Sequence, residues 1–238
     1  MTIMVKCLLR RDALRRGSGV STMLRRGMMR RTLLGCLLAL LLWPGMGWGA
    51  NRSDNFNRAD TTTAIGTPSD GGSAWVQLSG SWGISTNRGY NSTGGSHQSC
   101  VLEASSSVVT VEVTFETIAT ETALILRAVD DSNYVVAIAD TVSYNLYKRV
   151  AGGFTLIGSN ATTFASGDVF KISVDSANQY IASKNGTPFS TLSDAVHATA
   201  TQHGLRVSGG TTARFENFSI TDNAVTGNKS LLLLGVGL

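Results

Sequence analysis

TALILRAVDDSNYVVAIADTVSYNLYKRVAGGFTLIGS, residues 122–159, is a series of short apolar runs punctuated by turn residues. Residues 123–129 are apolar apart from Arg127, and Asp130-Asp131-Ser132-Asn133 then supplies side chains that cap and tighten a turn. Residues 134–139 read as the return strand. Residues 142–150 alternate around Tyr144, Leu146 and Lys148, Ala151-Gly152-Gly153 turns the chain, and 154–157 run back. Runs rich in Val, Ile, Tyr and Thr, separated by glycine and Asx turns, predict an antiparallel all-β sandwich or barrel without a helix.

The flanking sequence extends the pattern. VVTVEVTF at 108–115 has a period of two, which puts Val109, Val111, Val113 and Phe115 on one face and Thr110, Glu112, Thr114 and Glu116 on the other. Residues 74–78 and 82–85 flank Ser79-Gly80-Ser81, a hairpin signal that carries Trp75 and Trp82 into one end of the core. The segment 51–72 reads as a polar entry and 91–97 as a loop. Downstream, DVFKISVD at 168–175 alternates, 178–184 pairs back through Ser176-Ala177, and Asn185-Gly186 marks another hairpin. With 204–207 and 213–221, about twelve to fourteen strands are expected, and at most one helical turn at 195–200.

The first fifty residues have a different character. Arg30-Arg31 precedes an eleven-residue apolar run at 33–43 and a small-residue segment at 44–50. This is the order of a secretory signal peptide, and the run is short of the roughly 20 residues that a spanning helix needs. The expected organisation is a cleavable signal peptide with a basic extension over 1–49, a sandwich over 50–222 and an apolar tail over 223–238, the product being secreted. Two rival readings of the leader stay open: Leu33-Leu34-Gly35-Cys36 resembles a lipoprotein box, and Arg30-Arg31-Thr32-Leu33-Leu34 a twin-arginine signal.

Removing the leader reverses the charge. Residues 1–50 hold nine of the 20 Lys and Arg but one of the 16 Asp and Glu, leaving 11 basic against 15 acidic residues, a net −4. A mildly acidic domain with scattered cations offers no footprint for nucleic acid. Cys7 and Cys36 leave with the leader, so Cys100 stands alone as a buried small hydrophobe, and no intrachain disulfide is expected.

Arg127-Ala128 followed by Asp130-Asp131 and Asn133-Tyr134, then Leu146-Tyr147-Lys148, Gly152-Gly153 and Leu156-Ile157-Gly158, resembles the middle of a concanavalin A-like jelly roll of the laminin-G-like type. Asp54-Asn55-Phe56-Asn57-Arg58, Trp75 with Ser81-Trp82-Gly83-Ile84, Gly167-Asp168 with Lys171-Ile172, Gly204-Leu205-Arg206-Val207 and Ala213-Arg214-Phe215-Glu216-Asn217-Phe218 are similar to the same pattern. The resemblance runs to Asp222. It implies a two-sheet antiparallel jelly-roll β-sandwich, with sheets about 10 Å apart. Lectins, glucanases, adhesion modules and structural modules share that fold, so it assigns no activity.

Glu112 and Glu116 match the outer positions of the Glu-x-Asp-x-Glu motif of laminarinase-type glucanases, which implies a nucleophile and an acid/base. Thr114 stands where that motif has its aspartate. Along one strand the two Cα atoms lie about 13 Å apart, whereas retaining chemistry wants carboxyls about 5–5.5 Å apart; the alternative is a solvated polar face. His97, His197 and His203 fall in loop-like contexts without ligand spacing and read as surface residues. Asp54, Glu216 and Asp222 form a candidate Ca²⁺ site, because first and last strands of such sandwiches neighbour each other; alternatively they cap strands and pair with Arg58 or Arg214.

Arg127, Asn145, Tyr147 and Arg149 are the candidate ligand-binding residues, a tyrosine flanked by amide and guanidinium groups that suits a sugar. The structural alternative pairs Arg127 with Asp130 or Asp131 and packs Tyr147 on a sheet. The expected function is a secreted, non-catalytic module binding a cell-surface or matrix glycan. Its rivals are a glycan hydrolase using Glu112 and Glu116, and an assembly module whose apolar tail docks a protein partner.

Overall fold

The computed structural model describes residues 51–223; the expected leader and the stretch 224–238 lie outside the described residues. Fifteen strands run in chain order as β1 (Arg52–Asp54), β2 (Val76–Ser79), β3 (Trp82–Ser85), β4 (Arg88–Asn91), β5 (Gln98–Glu103), β6 (Val109–Thr117), β7 (Thr122–Asp130), β8 (Asn133–Ala139), β9 (Tyr144–Val150), β10 (Gly153–Asn160), β11 (Val169–Val174), β12 (Gln179–Lys184), β13 (Thr187–Ser193), β14 (Gln202–Val207) and β15 (Arg214–Asp222). One sheet has the order β13-β12-β11-β6-β15-β4-β3, with β1 also on β15; the other has the order β10-β9-β8-β7-β14-β5-β2. Every pairing is antiparallel, and no helix occurs among the described residues.

Two strands exceed the expectation for a reason that local sequence does not carry. β1 is three polar residues of the entry segment, paired with β15, where Arg52, Ser53 and Asp54 face Ile220, Ser219 and Phe218. β4 forms on the turn at Thr86 and Asn87, both at positive φ, and pairs back on β3.

The core lies between the sheets. Val109, Val111, Val113 and Phe115 of β6 are fully buried, and Phe115 packs against Phe164, Phe170 and Phe215 with ring centres 5.8–6.1 Å apart. Burying each such side chain contributes about 1.5–3 kcal/mol. Trp75 and Trp82 close one end, Trp75 lying 4.9 Å from Phe218. Cys100 is fully buried here, and its burial pushes the thiol pKa well up, as suits an inert small hydrophobe.

The seven-stranded sheet is apolar on both faces. Leu124, Leu126, Val135 and Ala137 point into the inter-sheet core, while Ala123, Ile125, Tyr134, Val136 and Ile138 form a second cluster on the outer face with Val101 and half-buried Tyr147. This explains why β7 and β8 read as continuous apolar runs rather than alternating ones.

Two expectations are corrected by position. Arg127 does not share the outer face with Tyr147. The register of β7 breaks between Leu126 and Asp130, and Arg127 adopts φ 51°, which turns its side chain inward. There it is 1% exposed, donating to the Ser107 carbonyl (3.0 Å), Asn178 Oδ1 (2.8 Å) and Tyr180 Oη (3.3 Å), not to Asp130 or Asp131. The histidines are not simply surface residues either, since His203 lies within β14 and is fully buried. The strand expected at 204–207 begins two residues earlier, at Gln202, where backbone pairing to both β5 and β7 secures it.

Candidate functional site: a cleft on the outer face of the seven-stranded sheet

The outer face carries a cleft of about 240 Å³ lined by His97, Glu121, Ile138, Tyr147, Phe154 and Arg206. Its walls come from distant parts of the chain. Ile138, Tyr147, Phe154 and Arg206 project from β8, β9, β10 and β14, while His97 and Glu121 sit in the segments before β5 and β7. His97 and Glu121 have φ 59° and 52°, left-handed conformations that a non-glycine residue adopts at a cost and that often mark functional sites.

Arg206 forms the floor. It is 1% exposed, and its Nη2 donates to Glu121 Oε2 at 3.1 Å and to His97 Nδ1. Its Nε and Nη1 are buried with no protein acceptor. A buried guanidinium with unused donors is expensive unless a ligand or ordered water completes it. Glu121 is the opposite case, its carboxylate 39% exposed at the rim and open to further donors.

Phe154 joins the polar groups together. The guanidinium carbons of Arg206 and Arg149 lie 5.6 and 5.0 Å from its ring centre, within the reach of cation–π attraction, and the His97 ring lies at 4.9 Å. Tyr147 meets it edge-on at 6.3 Å. Arg149 is itself fixed, donating to Tyr134 Oη (3.1 Å), to the Gly152 carbonyl (3.3 Å) and to the Asp131 carbonyl. The result is a set of aromatic surfaces beside an Arg–Glu pair, able to pack apolar ring faces while exchanging hydrogen bonds with hydroxyls.

Of the expected ligand-binding residues, Tyr147 lines this cleft and Arg149 borders it through Phe154. Asn145 donates to Ser143 Oγ at 2.9 Å and is not part of the lining, and Arg127 is on the other side of the sheet. Arg206, Glu121 and Phe154 are absent from the expected ligand-binding set, and His97 appears in the sequence reading only as a surface residue without ligand spacing. A charged residue inside the apolar run Gly204-Leu205-Arg206-Val207 was the one local sign of them.

Glu112 and Glu116 are engaged elsewhere. Glu112 faces Lys171 across the β6–β11 pair with an ion pair of 2.8 Å, and Glu116 pairs with Arg88 at 3.3 Å. They behave as the polar face of an amphipathic strand. Asp54, Glu216 and Asp222 are not brought together: the Asp54 carboxylate takes Arg58 (2.7 and 2.9 Å), Trp75 Nε1 (2.8 Å) and the Phe56 amide (2.8 Å). Glu216 pairs with Arg88 at 3.1 Å and Asp222 accepts from Ser106 at 2.8 Å. Among the described residues no group of three His, Cys, Asp or Glu side chains is placed to hold a metal ion.

Two stacked antiparallel sheets in this order make an all-β sandwich of the jelly-roll kind. No protein-family profile matches the sequence, and no curated protein matches it. Among solved structures, the carbohydrate binding module CBM66 from Bacillus subtilis is similar over 62% of this chain and 95% of its own, with 19% identity and a TM-score of 0.54. The Caenorhabditis elegans galectin LEC-6 gives 11% identity, 50% and 86% coverage and a TM-score of 0.40. A mutant of the GH43 protein BlXynB from Bacillus licheniformis gives 14%, 71% and 38%, and 0.46. At these identities the likeness concerns the fold.

Proposed function

We propose that the protein is a carbohydrate-binding module whose ligand enters the Arg206 cleft and leaves it unchanged. The observation that carries this reading is Arg206 itself, buried in the cleft with two nitrogens lacking any protein acceptor. Guanidinium donors beside the exposed Glu121 acceptor match vicinal hydroxyls, which both accept and donate, and the rings of Tyr147 and Phe154 suit the C–H face of a sugar. The CBM66 fold likeness agrees with this reading. We take the laminin-G-like order of motifs as the subtype and export as its route, so that the glycan belongs to a cell surface or matrix, with the apolar tail at 223–238 as the contact for a protein partner.

A shallow cleft predicts weak binding, about millimolar to tens of micromolar, or roughly −4 to −6 kcal/mol. A glycan array probed with the protein, and with Glu121→Ala and Phe154→Ala, tests the site. Hits that weaken at least tenfold in both variants, with melting temperatures held, support it; hits that persist unchanged in both overturn it.

A further inference from the structure

We propose that His97 is an acid-sensitive latch on this cleft: uncharged, it accepts a hydrogen bond from Arg206 and holds that guanidinium in the floor; protonated, it repels Arg206 and the cleft releases its glycan. The inference rests on the carbohydrate reading above and adds its regulation.

The geometry sets the tautomer. A guanidinium has donors only, so the contact between Arg206 Nη2 and His97 Nδ1 requires Nδ1 to be unprotonated, with the ring proton on Nε2. Adding a second proton removes the acceptor and puts two cations in hydrogen-bond contact. Arg206 cannot escape into water, because it is 1% exposed and lies under Phe154. His97, in contrast, is half-buried at the end of the loop 92–97, where Ser79 Oγ donates to its carbonyl at 2.8 Å.

The charged groups facing His97 come from each neighbouring element. Arg206 of β14 and Arg149 of β9 oppose its protonation; Glu121 before β7 and Asp131 after it favour it, and Phe154 of β10 adds a ring without charge. The loop itself, Ser92-Thr93-Gly94-Gly95-Ser96, has no ionisable side chain. Burial and the two arginines outweigh the carboxylates, so His97 titrates below the ordinary 6.5. The latch is therefore closed at neutral pH and opens as pH falls through that lowered midpoint, with affinity falling by up to about tenfold for each pH unit below it.

His97→Asn is the informative variant, because Asn Oδ1 replaces Nδ1 as an acceptor that does not titrate and tolerates the left-handed backbone. The first measurement follows the Arg206 side-chain ¹H–¹⁵N resonance of the ligand-free protein from pH 8 to 5. It should shift with the His97 midpoint in the wild type and stay constant in His97→Asn. The second reads an array of neutral oligosaccharides at pH 7.5 and at one pH unit below the His97 midpoint found in the first, where the wild type should lose about tenfold, while His97→Asn, whatever its signal at pH 7.5, should show no acid loss. An Arg206 resonance indifferent to His97 titration, or equal acid loss in both proteins, overturns the latch. A blank array at both pH values with the Arg206 shift intact supports the latch and sinks the carbohydrate reading instead.

Discussion

His203 Nδ1 accepts the backbone N–H of Arg127 at 3.2 Å, and its Nε2 donates to the Ser106 carbonyl at 3.0 Å, so one buried imidazole closes the gap left where β7 breaks register. The ring is fully committed in its neutral form. Burial is the largest reason that its pKa is pushed down to about 4, with the nearby Arg127 charge adding to it.

Acid stability follows from that commitment. A histidine depressed from 6.5 to about 4 contributes stability that is complete above pH 6.5 and is lost as pH falls toward 4. The difference corresponds to about 3 kcal/mol. Denaturant midpoints at pH 7 and pH 4 should differ by that order in the wild type and by clearly less in His203→Gln; parallel losses in both would reject the assignment.

Tyr147 is half-buried against the outer apolar cluster and meets Phe154 edge-on. Tyr147→Ala should weaken glycan binding by about 1–2 kcal/mol, tenfold or more, while the fold persists. Calorimetric titration alongside thermal melting separates the roles. A destabilised variant whose folded fraction binds normally would place Tyr147 among the structural residues.

Asp54 has no exposed surface on its side chain and satisfies Arg58, Trp75 and the Phe56 amide together. Replacing it by asparagine leaves Arg58 without its counter-charge. Because Arg58 retains some water contact, the loss should be near the lower end for a broken buried pair, about 3 kcal/mol. An unchanged melting curve for Asp54→Asn would contradict this; a melting rise with Ca²⁺ in the wild type that is lost in Asp54→Asn would assign these oxygens to a metal instead.

Glu112→Gln should change stability by less than about 1 kcal/mol, since the Lys171 pair is a third exposed on both sides and such pairs are worth little. Reducing-end assays on β-glucan should show no release that depends on Glu112. Release that vanishes in the glutamine variant would reopen catalysis.

The fold was legible where one face of a strand meets the core and the other meets solvent, as in β6, whose alternation the structure reproduces residue by residue. β7 and β8 were legible as strands but not by face, because both of their faces are buried. Arg127 was misplaced for a related reason: period two cannot foresee a register break and a left-handed residue. Half of the cleft was out of reach because its residues meet only in three dimensions; His97 and Arg206 touch across 109 positions of sequence. Tyr147 was accessible to sequence reasoning since an aromatic among polar neighbours on β9 is a local signal.

Phe154 belongs to β10, a border strand whose only sheet partner is β9, and the turn before it holds Ala151 and Gly152 at φ 49° and 82°. That corner faces solvent, with Ala151 exposed and Phe154 36% exposed. The floor, in contrast, is anchored in the middle of the sheet on β14, where a Cβ on neighbouring Gly204 would fall 2.0 Å from the Cys100 carbonyl. The cleft thus joins a floor fixed in the middle of the sheet to a wall carried on its border strand, so the two can be altered separately.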